Sequence, residues 1–361
     1  MSKRIAIVGG GYIGADLAKS LEDKAKVTLI EQRSHFVHTP AMIRAVVEPG
    51  LLDRALIAYD KLLSRGTLVQ ARAAGIDEGG VALEDGTRID ADYVVAATGS
   101  ENATPFKAKG ADIEALRAEN ARINGMLKAA QSVAIVGAGA VGTELAGEIA
   151  HYMPEKDVTL ISDQAALFPD MPPKLGTALK AKLEAAGVTL VLGARADNLE
   201  SLTEPYAGKL TLSNGQSVAA NVIFPVIGSR GSSDLLEALP GAEKGSANRV
   251  KVDGWMRPSS LPNVFAAGDV ADAGDGMTIV ATSRQLPWLK KTLASLLDGK
   301  TLEEVKPYAP WKPGKAPILI PLGPEKGNSF LVLFTAGDFL TRMMKGKDLF
   351  LAKYTKAMGR G

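Results

Sequence analysis

The feature that most constrains this chain is a turn written twice. "IAIVGGGYIGADLAKS" begins at residue 5 and "VAIVGAGAVGTELAGE" at residue 133, a spacing of 128 in a chain of 361 residues. Each copy opens on an apolar β-branched run, passes glycines at G-x-G-x-x-G spacing and enters a small-residue helix. A strand that feeds a helix leaves unpaired N–H groups at the positive end of the helix dipole, and together these bind a pyrophosphate. The first glycine permits the tight turn, the second lets backbone approach phosphate, and the third lets helix pack on strand. Gly9, Gly11 and Gly14 take these places in the first copy, with Gly10, Tyr12 and Ile13 completing the loop. Gly137, Gly139 and Gly142 take them in the second.

Both copies continue alike. "VTLI" follows at 27–30 and at 158–161, then short β-rich segments with turn signals, "LEDGTRI" at 83–89 and "LSNGQSV" at 212–218. Each closes on an apolar strand ending in Gly-Ser, "YVVAATGS" at 93–100 and "VIFPVIGS" at 222–229. A period this long is a domain duplication, not a solenoid. The order predicts an α/β fold with two Rossmann-like dinucleotide-binding domains, each a parallel sheet with helices on its faces, plus a small C-terminal α+β domain. "LPNVFAAGDVAD" at 261–272 returns as a further strand, so the first domain is expected to be split. Residues 1–130 and 246–300 would enclose an inserted 131–245, and 301–361 would form the C-terminal domain. Segment 101–131 reads as a loop followed by an exposed amphipathic helix.

The two copies differ where selectivity is set. Glu31 lies 22 residues after Gly9, where a carboxylate can accept hydrogen bonds from a ribose diol. Its counterpart is Ser162, which does not repel a 2′-phosphate as a carboxylate would. Asp163 beside it would oppose one, and no arginine sits nearby to welcome it, so NADH has a slight lead over NADPH. Two dinucleotide sites suggest a nicotinamide that donates hydride and a flavin that accepts it.

Other chemistries fall away. The chain has no cysteine, which excludes disulfides, thiolate metal sites and a thiol redox shuttle, and so excludes disulfide reduction. His35, His38 and His151 show no metal-ligand spacing. A formal net charge of +2, without a long basic stretch, argues against nucleic acid as a partner. No apolar run reaches the roughly 18 residues that span a bilayer. The start enters a strand at once, which leaves no room for a signal peptide, and Ser2 removes the N-myristoylation route. The expectation is a cytoplasmic protein, with peripheral membrane contact left open.

The set of G-x-G-x-x-G with Glu31, "AATGS", a second G-x-G-x-x-G with Glu144, and "NVFAAGD" resembles the flavoprotein oxidoreductases with two dinucleotide-binding domains. "FVHTPAMIRAVVEPG" at 36–50 and "MMKGKDLFLAKYTKAM" at 343–358 are similar to the apoptosis-inducing-factor-like branch, ferroptosis-suppressor-like members included. The resemblance covers nearly the whole chain, and it implies an NAD(P)H:quinone oxidoreductase carrying FAD. It implies that Gly9, Gly10, Gly11, Tyr12, Ile13 and Gly14 hold the FAD pyrophosphate and Glu31 its adenosine ribose. Arg44 would contact FAD, Ala73 would offer backbone to the adenine, Thr98 and Gly99 would line the cofactor, and Asp269 would bond its ribityl or pyrophosphate region. Gly137, Gly139, Gly142, Ser162 and Gly228 would serve NAD(P)H, and Glu144 would face the meeting point of nicotinamide and flavin. Lys345 and Phe350 would lie near the flavin and quinone, with Lys345 stabilising developing negative charge.

Structural readings stand beside these. Arg44 also fits a solvated helix position, Ala73 an ordinary strand residue, Asp269 a helix cap and Glu144 a charge complementing the helix dipole. His38 reads as a packing or surface residue rather than an acid or base. Residues 338–361 carry six cations against Asp338 and Asp348, a local charge of about +4. They fit either a strand and helix packed on the flavin domain or a membrane-surface patch. Two functional rivals remain: a reductase of a ferredoxin- or rubredoxin-type carrier, and a redox-gated binding protein with incidental turnover. Oligomeric state is left open.

Overall fold

The computed structural model describes residues 2–102 and 105–360. Residues 103 and 104, part of the loop read ahead of the amphipathic helix, lie outside the described residues. The first copy of the turn joins β1 (Arg4–Val8) to α1 (Gly14–Leu21), which returns through β2 (Lys26–Glu31). After α2 (Thr39–Ala45) come β3 (Thr67–Gln70), a three-stranded antiparallel meander of β4 (Ala73–Asp77), β5 (Gly80–Leu83) and β6 (Arg88–Asp90), and then β7 (Tyr93–Ala96). The long helix α3 (Ile113–Ala129) leads into the second copy, with Asp112 capping its first turn.

That copy joins β8 (Ser132–Val136) to α4 (Ala140–Tyr152), then runs through β9 (Asp157–Ser162), α5 (Pro173–Ala185), β10 (Thr189–Leu192), β11 (Tyr206–Thr211) and β12 (Ser217–Pro225). β13 (Val264–Ala266) and α6 (Ile279–Leu297) follow. The first sheet has the order β13-β7-β1-β2-β3, all parallel, so one of its strands comes from far beyond the second copy. The second sheet is β10-β9-β8-β12-β11, parallel except for the β11–β12 pair.

Side chains alternate across a strand, so a sheet buried on both faces needs two cores. Ile5 and Ile7 of β1 enter one core with Leu17, Leu21, Leu289 and Leu293, packed by α1 and α6. Ala6 and Val8 enter another with Val81 and Leu83 of the meander. The expectation of helices on both faces therefore fails on one face. A turn-linked antiparallel sheet buries an apolar face as well as a helix does, and here it takes that place. In the inserted unit β8 repeats the pattern, with Val133 and Ile135 on one side and Ala134 and Val136 on the other.

The C-terminal segment departs most from expectation. Its antiparallel sheet of β14 (Ile318–Leu322), β15 (Lys326–Phe330) and β16 (Thr335–Ala336) does not sit on the first unit. Ile320, Leu322 and Phe330 join the core of the inserted unit, against α4 and α5. Gly147 makes this approach feasible, because a Cβ there would lie 2.6 Å from the Leu322 Cα. The chain then continues through α7 (Asp338–Thr341), a π-helical stretch (Arg342–Gly346) and α8 (Leu351–Ala357). α8 returns to the first unit and buries Tyr354 and Met358 in its core, and Leu349 just before it bonds His38 there. The segment is a staple across both units, because its apolar residues fall into two groups separated by the charged run 345–348.

Candidate active site

The two glycine loops are alike atom by atom. Gly9 and Gly137 have φ of +102° and +111°, the left-handed side that favours glycine. A Cβ on Gly9 would strike the Ala97 carbonyl, and one on Gly137 the Val226 carbonyl. Gly14 and Gly142 lie against the carbonyls of Gly9 and Gly137, where any side chain would push the helix off its strand. Gly11 and Gly139 instead face open space, with no atom within 4 Å of a Cβ. Each loop therefore presents bare backbone at a helix start, a cradle that fits a dinucleotide pyrophosphate. Tyr12 and Ile13 complete the first loop, Ile13 turning into the core.

The first cradle is braced from several sides. The Gly10 N–H donates to Glu31 Oε2 at 2.7 Å, and the Arg33 N–H donates to Glu31 Oε1 at 2.9 Å. The Tyr59 hydroxyl donates to the Gly10 carbonyl at 2.6 Å. Glu31 is thus aimed by loop backbone at the end of β2, with carboxylate lone pairs left for a ribose diol. Ala73 pairs with Leu83 in the meander. Two residues before it, the Ala71 N–H donates to the Glu31 carbonyl, which brings this strand to the same end of the sheet. Asp269, beyond β13, accepts from the Ser100 hydroxyl at 2.6 Å and faces Lys107 Nζ at 3.3 Å. Thr98 donates to the Ser232 carbonyl at 2.7 Å, and the Gly99 carbonyl accepts from the Ser232 N–H, so this pair ties the two units together.

In the second cradle Ser162 is buried, its hydroxyl accepting from the Gln164 N–H at 3.1 Å, while Asp163 is exposed beside it. Gly228 has φ +114° and is exposed. The serine is therefore held by its own turn, and the exposed residue next to it in the chain, Asp163, is acidic.

Between the cradles runs a buried ionic seam. Lys345 Nζ donates to Glu144 Oε1 at 2.6 Å and to the Leu319 carbonyl at 3.2 Å. One helical turn along α4, Glu148 receives a two-pronged bond from Arg44, both contacts 2.9 Å. Arg44 is 3% exposed, so it is not a solvated helix residue, and its Nε and Nη2 are both engaged by Glu148. Burial raises the Glu144 carboxyl against the opposing pull of Lys345. Burial likewise pushes Glu148 up to about 7 against the pull of Arg44. Glu144 sits in the second turn of α4, away from the first, so a dipole role alone does not account for it.

His38 is fully buried, and its bonds fix its state. Its Nε2 lies 2.6 Å from the Leu349 carbonyl, an obligate acceptor, so Nε2 carries the proton. Nδ1 then accepts from the Tyr12 hydroxyl at 3.1 Å, and that hydroxyl accepts from the Thr39 N–H at 3.1 Å. Burial lowers the imidazole to about 4, which makes it a neutral tie between the first glycine loop and the C-terminal segment. Leu349 and Phe350, at φ +54° and +65°, form two successive left-handed residues held at this point. The Phe350 ring packs against the first core. Sequence reasoning missed Tyr59, Lys107 and Glu148. Glu148 alone had a signal, standing one helical turn from Glu144.

Two dinucleotide cradles in one chain, tied together by Thr98 and Gly99 at Ser232 and by Arg44 at Glu148, define a class: an oxidoreductase built for two nucleotides. The chain belongs to the pyridine nucleotide-disulphide oxidoreductase family, whose models match residues 4–54 and 59–286. It is 30% identical to apoptosis-inducing factor homolog B of Dictyostelium discoideum, across 98% of this chain and 96% of that protein. It is 28% identical to human ferroptosis suppressor protein 1, across 98% and 95%. The fold also resembles the sulfide:quinone oxidoreductase of Aquifex aeolicus, with TM-score 0.73, 15% identity and coverage of 99% and 92%. FAD and NAD(P)H are the cofactors of this family, and the two cradles fit them. Lacking cysteine, the chain departs from the disulfide chemistry in the family's name.

Proposed function

We propose that this protein is an FAD-dependent NAD(P)H:quinone oxidoreductase, with FAD on the first cradle and NAD(P)H on the second. The domain reading follows: 1–130 with 246–300 for FAD, 131–245 for NAD(P)H, and 301–361 closing over the site of electron transfer. The observation that carries it is the Lys345–Glu144 contact at 2.6 Å, which brings the C-terminal segment to the buried face of the nicotinamide helix. When bound, FAD supplies the chemistry, accepting a hydride from NAD(P)H and giving two electrons to the acceptor. The chain's own residues position the partners. Gly9, Gly11 and Gly14 offer backbone to one pyrophosphate, Gly137, Gly139 and Gly142 to the other, and Glu31 and Asp269 orient the first nucleotide. Lys345 holds a positive charge in a buried setting, where it can stabilise charge that develops during transfer. Phe350, at a left-handed turn five residues further on and packed on the first core, would offer an apolar side chain to a flat acceptor such as a quinone.

The exposed Asp163 beside Ser162 opposes a 2′-phosphate, which supports NADH over NADPH. The test is anaerobic reduction of the bound flavin by NADH and by NADPH, followed by reoxidation with short-chain quinones or with a ferredoxin-type protein. Bleaching that is faster with NADH and recovery with quinones are expected. A colourless purified protein would sink the reading. Recovery with the small protein alone, steeply weakened by salt, would replace quinone with a protein carrier.

A further inference from the structure

Eight large apolar side chains stand open to solvent among the described residues, and six of them fall between positions 332 and 344. They occupy two connected pieces. The first is the tip of the β15–β16 hairpin, where the Leu331 N–H donates to the Phe334 carbonyl and closes the turn at 2.9 Å. Leu333 at this tip is 90% exposed and Phe334 is 52% exposed. Val332 beside them has φ +70°, a region that β-branched residues rarely adopt, so the turn holds its apolar tip outward under strain. The second piece is α7 and the π-helical stretch after it. Phe339 and Met343, 72% and 62% exposed, stand four residues apart and share one side of that run. α7 packs on β15 and β16, which keeps the two pieces side by side.

The charge around them is mixed with cations in excess, Lys182, Lys326, Arg342 and Lys347 against Glu325 and Asp338. Lys326, Arg342 and Lys347 are exposed. The nearby carboxylates are engaged within the chain, Asp338 by Lys182 at 2.7 Å and Glu325 by Arg342 at 2.8 Å. An exposed apolar tip flanked by cations matches an anionic lipid surface, which takes the side chains between headgroups and the cations against phosphate. A second copy of the chain is a poorer occupant, because a two-fold contact would set Lys326 and Lys347 against their own images. The terminal helix is also a poorer candidate, since Leu351, Tyr354 and Met358 are buried against the first unit.

We infer that the hairpin tip and the Phe339–Met343 face dock this protein on anionic membranes. The inference is independent of which acceptor is reduced, since binding is read with no electron donor present. The experiment is cosedimentation of the full flavin-loaded chain with phosphatidylcholine vesicles, with and without phosphatidylglycerol. Binding should be at least about tenfold stronger with phosphatidylglycerol and fall several-fold between low and high salt. The double variant L333E/F339E should lose vesicle binding while keeping its flavin and its turnover of a water-soluble acceptor. K326E/K347E, which leaves every apolar side chain in place, should lose the preference for phosphatidylglycerol. Equal binding to both vesicle types, or none, overturns the proposal. So does a dimer in sedimentation equilibrium that L333E/F339E dissociates, which would assign the face to a second copy.

Discussion

At His38 a single side chain links the first cradle to the far end of the chain. Its position invites a role in proton transfer, but both ring nitrogens are engaged and burial holds the imidazole neutral down to about pH 4. The consequence for stability has a definite sign. In the unfolded chain histidine binds a proton below about 6.5, whereas the native ring does not until about 4. Between those values the unfolded state holds more protons, so native stability falls as the pH drops through the window. The gap of about 2.5 units corresponds to about 3 kcal/mol at its acid limit. Replacing His38 with Gln keeps a donor for the Leu349 carbonyl and removes the titration. Urea unfolding should therefore show the advantage of wild type over H38Q shrinking steadily from pH 6.5 to pH 4.5. A difference that does not move with pH would mean that His38 titrates normally and is not sealed in.

At the level of elements, the crossing of α2 on α4 rests on a charge pair in an apolar setting. Arg44 and Glu148 are both nearly inaccessible, so each compensates the desolvation of the other. Replacing Arg44 with Met leaves Glu148 buried without its cation, and a cost of about 3–5 kcal/mol is expected. The double variant R44M/E148L should recover most of that loss, because two apolar side chains suit the same cavity. The pH trend is opposite to that of His38. A carboxyl raised to about 7 holds its proton in the native state where the unfolded state has released it, so its contribution worsens as pH rises from about 4.5 to 7. R44M should carry that decline on above pH 7 in denaturant melts, and a variant costing under about 1 kcal/mol at neutral pH would show that the pair is hydrated. The same pair marks the limit of what was legible in the sequence. Gly9, Gly14 and Glu31 could be read because their task is local, set by a turn and the strand beside it. Arg44–Glu148 and Lys107–Asp269 could not, because their partners lie 104 and 162 residues apart and no periodicity encodes such a meeting. The meander that replaced a helix layer was likewise visible as turns, yet which face it would cover was not.

For the whole molecule, the question is what holds two independently built nucleotide units in register. The C-terminal segment does this by dividing its apolar residues: Ile320, Leu322 and Phe330 go to the inserted unit, Tyr354 and Met358 to the first. Lys345 lies between these two attachments in sequence, and it bonds Glu144 of α4 and the Leu319 carbonyl of β14, so its place follows the seating of that sheet on α4. The close fit of Gly147 on Leu322 is the place to loosen one attachment without touching either cradle. A leucine at 147 would overlap the Leu322 Cα and Cβ, at 2.6 and 2.8 Å from its Cβ, and the strand must give way. Overpacking of this kind costs about 1–3 kcal/mol, small enough for the sheets to survive. In G147L, amide exchange should therefore speed up across 318–345 while β1, β8 and α8 keep their protection. Flavin content should be unchanged, and NADH should still bleach the flavin. Turnover with a quinone should fall, because Lys345 no longer stands beside Glu144. If the acceptor reaction is untouched while exchange across 318–345 rises, the staple matters for stability alone, and the electron-transfer role given to Lys345 is wrong.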